Sequence, residues 1–135
     1  MADPAIVAGL LLARCATLSV GTPVLPVAMP DISFTPPVDN KYLRVDFFAN
    51  KPAWEGLGPE AMDQGLLQVV VVWPWRRGVV APRRIAAQVM AHFPKGLDLT
   101  GSGVKVTINK APWAASPILE EPVSMTPVTI SWVAS

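Results

Sequence analysis

Four consecutive valines, Val69 to Val72, sit inside the run Gly65-Leu-Leu-Gln-Val-Val-Val-Val-Trp-Pro74 and leave the chain few conformations there. A side chain branched at Cβ loses rotamer freedom in a helix and fits a pleated surface well. Because the run is apolar at both alternating positions, it reads as a strand covered on both faces. It is about half as long as the roughly twenty residues a bilayer-spanning helix needs. Pro74 has no N–H to offer a ladder and stops the strand. The rest of the chain must therefore supply cover for this strand or form loops that reach away from it.

At 135 residues the chain is read as a single domain over 1–135. A domain of this size buries about two thirds of the surface its unfolded chain exposes, enough for a core without staples. Its composition is 51% hydrophobic and only 16% charged, with a mean hydropathy of +0.39. With no apolar run long enough for a membrane, the surplus apolar surface is expected against other chains, in an oligomer. Eleven basic and 10 acidic residues leave a formal charge of +1, which provides no overall field to draw in nucleic acid. The single cysteine, Cys15, excludes an intrachain disulfide and reads as a small buried hydrophobe. Ile6 to Leu12 has the apolar character of a signal-peptide core, but no positive charge precedes it and Arg14 follows it. Asp3-Pro4 is instead a helix start, with the aspartate as N-cap, and a cytoplasmic protein is expected.

The first helix is expected over about 4–18, with Val7, Leu10, Leu11 and Leu18 on one stripe and Gly21 ending it. Residues 21–40 carry Pro23, Pro26, Pro30, Pro36 and Pro37, too many for helix or central strand. Val24, Leu25, Ile32 and Phe34 make this an extended arm lying on a surface of this chain or a neighbour. A sheet and helix core is expected over 41–134. Lys41 to Phe48 alternates Leu43, Val45 and Phe47 against Arg44 and Asp46, as a half-buried strand does. Ala49 to Gln64, with Trp54 and Glu55, is a connection of a length that is often functional. A basic turn, Trp75 to Ala81, leads to a helix from Pro82 to Phe93 with Ile85, Ala86, Val89 and Met90 inward. Beyond the turn Gly101-Ser-Gly103 come a strand from Val104, the segment Trp113 to Leu119, the acidic tip Glu120-Glu121, and a closing strand, Val128 to Val133. The expected class is α+β: a mostly antiparallel sheet of four or five strands, two helices packed on one face, and long loops.

Chemistry has little to stand on. His92 is the sole histidine, so metal sites built on histidine spacing and zinc knuckles are excluded, and no Gly-x-Ser-x-Gly motif supplies a nucleophile. Gly101-Ser-Gly103 precedes a strand and cannot place phosphates on a helix N-terminus. No enzyme, no cofactor and no metal are expected. The arginines Arg76, Arg77, Arg83 and Arg84 stand out, because a helix dipole does not favour cations at its N-terminus. They pair with carboxylates of a neighbouring subunit, line a channel for DNA, or form a solvated basic edge. With Phe34 of the arm, Trp54 and Glu55 of the long loop, and Glu120 and Glu121, they are the candidate contacts to other chains.

The order of segments resembles the small tail-terminator, or tail-completion, proteins of long-tailed bacteriophages and related tail-like particles. The carrying stretches are Met29-Pro-Asp-Ile-Ser-Phe-Thr-Pro-Pro37, Tyr42-Leu-Arg-Val45, Asp63 to Pro74, Ile85-Ala-Ala, His92-Phe-Pro-Lys-Gly96 and Val128-Thr-Ile-Ser-Trp132. Together they span roughly residues 5 to 134. The resemblance implies a homo-oligomeric ring, hexameric, on the head-proximal end of the tail tube in the virion, assembled in the host cytoplasm. There it would stop polymerisation of the tail tube protein and dock the head-neck connector protein, with genomic DNA passing through unread. Another ring protein of the neck or tube and a nucleic-acid-binding module built on the arginines are the competing readings.

Overall fold

The computed structural model describes residues 3–21, 23–49 and 63–135. In chain order the elements are α1 (Pro4–Ala16), β1 (Val27–Ala28), β2 (Tyr42–Ala49), β3 (Asp63–Pro74), α2 (Val80–His92), β4 (Asp98–Gly101), β5 (Val104–Ile108), β6 (Trp113–Ala114), β7 (Ile118–Glu120) and β8 (Val123–Ala134). The sheet runs β1-β2-β3-β8-β5-β4, and β6 and β7 also pair with β8.

β3 and β8 pair antiparallel along their whole length, from Asp63 opposite Ala134 to Pro74 opposite Val123. All four valines of the central run are buried. Val69 and Val71 point to the face that carries the core, beside Leu43 and Val45 of β2 and Val128 of β8. Both helices press on that face, α1 with Val7, Leu11 and Cys15, α2 with Ile85, Ala86 and Val89. Val70 and Val72 point to the other face. There Arg44 reaches across β3 from β2 to place Nη1 3.6 Å from the Met125 sulfur of β8. The expectation that this strand is covered on both sides therefore holds.

The strand count needs correcting. Among the described residues the sheet has eight strands and is mixed, because β1 from the proline arm runs parallel to β2. β1 and β6 are two residues long and β7 three, too short for any alternation to register in the sequence. They exist because β2 and β8 offer them a ladder. The arm thus lies in part on this chain's own sheet, with Leu43 N–H donating to the Pro26 carbonyl.

β8 also begins five residues before the expected Val128 and passes through Pro127. The proline is tolerated because its carbonyl, and hence its missing N–H, faces away from β3. There the carbonyl accepts from Ala115 N–H in the gap between β6 and β7. α1 stops at Ala16, short of Leu18, where Thr17 and Leu18 N–H close on the Arg14 and Cys15 carbonyls. Its start is held by Asp3, whose Oδ1 accepts from Ala5 N–H at 2.9 Å. Ser102 and Gly103, both at positive φ, form the two-residue turn that joins β4 to β5.

Candidate functional site

Where β3 ends, Trp75 N–H donates to the Pro122 carbonyl and fastens the following turn to the β7–β8 hairpin. Arg76 and Gly78 then take positive φ and reverse the chain into α2. This places the Arg76 guanidinium 4.2 Å from the centre of the Trp75 ring, a cation–π contact that orients it. Arg83 and Arg84 lie in the first turns of α2, where no acidic residue offsets the helix dipole. Arg83 Nη1 lies 3.4 Å from the Ala114 carbonyl of β6. All four arginines are exposed. Among the described residues none has a carboxylate partner, and the ion pair present is Arg44 with Asp46 at 3.3 Å.

Two sets of clefts flank this arginine turn. On the β7 side, Trp75, Arg76, Val79, Pro82 and Leu119 enclose about 210 Å³. On the β2 side, Asp39, Lys41, Trp73 and Arg77 line about 470 Å³, and an adjoining hollow of about 340 Å³ brings Arg84 beside Gln88. Lys41 Nζ sits 4.9 Å over the Trp73 ring. The arginines are therefore divided: Arg76 lines one cleft, Arg77 and Arg84 the others, and Arg83 reaches instead to the Ala114 carbonyl. Glu120 and Glu121 are exposed at the β7–β8 turn, at the same end of the sheet. Phe34 packs against Tyr42 of its own chain, with ring centroids 5.1 Å apart and planes tilted by 39°. Trp54 and Glu55, with most of the loop that carries them, lie outside the described residues.

Sequence reasoning passes over the exposed apolar pairs at this end, Val79-Val80 and Ile118-Leu119. The available signal is two adjacent apolar residues bounded by Gly78 on one side, or by Pro117 and Glu120 on the other, which no alternating pattern absorbs. Among the described residues no group of three His, Cys, Asp or Glu stands together as a metal site would need, and no helix is long and apolar enough to cross a membrane.

His92 is occupied in joining the ends of the two helices. Its Nε2 lies 2.7 Å from Thr17 Oγ1 and 3.1 Å from the Arg14 carbonyl, while its own carbonyl accepts from Arg14 Nη2 at 2.9 Å. A carbonyl can only accept, so the neutral ring carries its proton on Nε2. Burial holds the imidazole pKa below its ordinary 6.5, and the nearby Arg14 charge adds to this against the hydrogen bond to the Arg14 carbonyl. Folding therefore opposes protonation here. This contribution to stability is complete above the unfolded value and is lost as pH falls below it. The melting temperature is expected to drop as pH is lowered through and below about 6.5, and His92→Gln, which keeps a donor near Nε2, should flatten that drop in a thermal melt series.

A family model described as phage tail terminator protein matches residues 6–132. The chain belongs to this family. Its role is accordingly structural, in assembly of the phage tail, where it meets other tail proteins. One solved structure superposes with a TM-score of 0.79 at 24% identity, covering 100% of this chain and 97% of that one. At that identity it supports the fold alone. Comparison with curated proteins returns no match.

Proposed function

We propose that the chain is the terminator of a phage tail: a ring of identical subunits, six in number, seated on the head-proximal end of the tail tube. In that place it stops tube polymerisation and offers its outer face to the head-neck connector, while genomic DNA passes through the lumen without being read. Assembly takes place in the host cytoplasm, and the work is done by binding, with no catalytic step. The observation that carries this reading is the family match along residues 6–132. The surface agrees with it. Four arginines without a carboxylate partner among the described residues share one end of the sheet with exposed Val79, Val80, Ile118 and Leu119, the mixture of Arg and apolar contact suited to a protein interface.

The test is a tube-length titration. Tail tube protein polymerised in the presence of increasing amounts of this chain should give progressively shorter tubes, each capped at one end. Tubes whose length ignores the added chain would overturn the reading.

A further inference from the structure

The β7-side cleft has an unusual pairing of properties. At about 210 Å³ it is smaller than the roughly 300–1,000 Å³ of small-molecule sites, and its walls are mainly Trp75, Val79, Pro82 and Leu119. Leu119 is 67% exposed, so this apolar wall faces solvent. On its rim Arg76 is fixed over Trp75 with no carboxylate partner among the described residues. The space suits an apolar side chain followed or preceded by an anion.

The proline arm presents such a pair. From Cys15 to Asn40 the sequence has no lysine or arginine, and its charges are Asp31 and Asp39. Asp39 is engaged by its own chain, its Oδ1 accepting from Lys41 N–H at 3.2 Å. Asp31 and Ile32 stand at the arm's tip, both exposed, Ile32 at 66%. Asp31 has a φ of 56°, and Pro30 precedes it. The tip is thus already bent, and seating it costs little ordering entropy.

The arm leaves the sheet at the β1 edge, beyond β2, whereas the cleft lies across β3 on the β7–β8 side. We propose that the arm tip of one copy seats in the Trp75–Leu119 cleft of the next, Ile32 entering between the apolar walls and Asp31 meeting Arg76. Two different surfaces then meet at each contact. Such a head-to-tail contact repeats around a ring where the rotation closes. This rests on the ring reading and names the contact that builds it.

The test is a disulfide ladder in the full chain carrying Ile32→Cys and Leu119→Cys. Native Cys15 does not interfere, being buried with its thiol pushed up to about 12. Oxidation of the oligomer should yield a ladder of covalent multimers that reductant collapses. Each single variant alone should give no ladder, and the two mixed should stop at a dimer. A wild-type chain that sediments as an oligomer while the double variant gives no ladder overturns the arm contact and leaves the ring standing. A wild-type chain that stays monomeric, free and on tail tubes, overturns both. Asp31→Arg and Arg76→Asp provide a second check, since both positions already hold non-glycine residues at positive φ. Each alone should lower oligomer affinity at least about tenfold and the pair should restore it. Additive losses would contradict the contact.

Discussion

Replacing Gly65 with alanine is expected to destabilise the fold by about 2–3 kcal/mol, the scale of an overpacked core, and to lower the melting temperature by about 10 °C. Gly65 faces Trp132 across the β3–β8 ladder. The Trp132 indole fills the space a side chain would take and stacks on Phe47, with centroids 5.8 Å apart and planes within 12°. A Cβ at residue 65 would stand 2.5 Å from Trp132 Cζ2 and closer still to the Phe48 backbone carbonyl. The ring is 2% exposed and stacked on Phe47, and the carbonyl belongs to β2, whose pairing with β3 fixes its position. Neither neighbour yields cheaply. Trp132→Leu in the alanine background should recover part of the loss, a coupling that only direct contact gives. A melt within about 2 °C of wild type would show that the ring slides aside freely.

Reversing Arg76 and Arg77 to glutamate is expected to abolish assembly while leaving the monomer folded. Both side chains are exposed and make no ion pair among the described residues, so Arg77→Glu should alter stability by no more than about 0.5 kcal/mol and Arg76→Glu, which gives up the contact over Trp75, by about 0.5–1 kcal/mol. In an interface, removing one member of a paired charge costs about 2–5 kcal/mol, or roughly thirty- to several-thousand-fold in affinity, and reversal adds repulsion. Circular dichroism and sedimentation on the same sample separate the two effects. If the double variant assembles normally, these arginines are a solvated edge and the interface lies elsewhere.

The core of this fold is legible in the sequence because its signals are local and strong. Four valines in a row admit a buried strand and little else, and Asp3-Pro4 announces a helix through the cap and the proline's fixed φ. The short strands β1, β6 and β7 are not legible, since two or three residues carry no period and their partners lie far along the chain. Pro127 misleads for a related reason. Its tolerance depends on which side of β8 its nitrogen faces, and that is a property of the assembled sheet. At the candidate site the arginine cluster is visible as a cluster, but its division between separate clefts is not. That division follows from Trp75 anchoring to Pro122 and from Leu119 standing opposite Val79. The acidic pair Glu120-Glu121 likewise reads as a solvated tip, and only the hairpin places it at the arginine end of the sheet.

Electron microscopy of particles assembled without this chain tests the central claim most directly. Tails of excessive and uncontrolled length, unattached to heads, are the expected result, because nothing would then stop the tube or receive the connector. Tails of normal length joined to heads would contradict the terminator function outright.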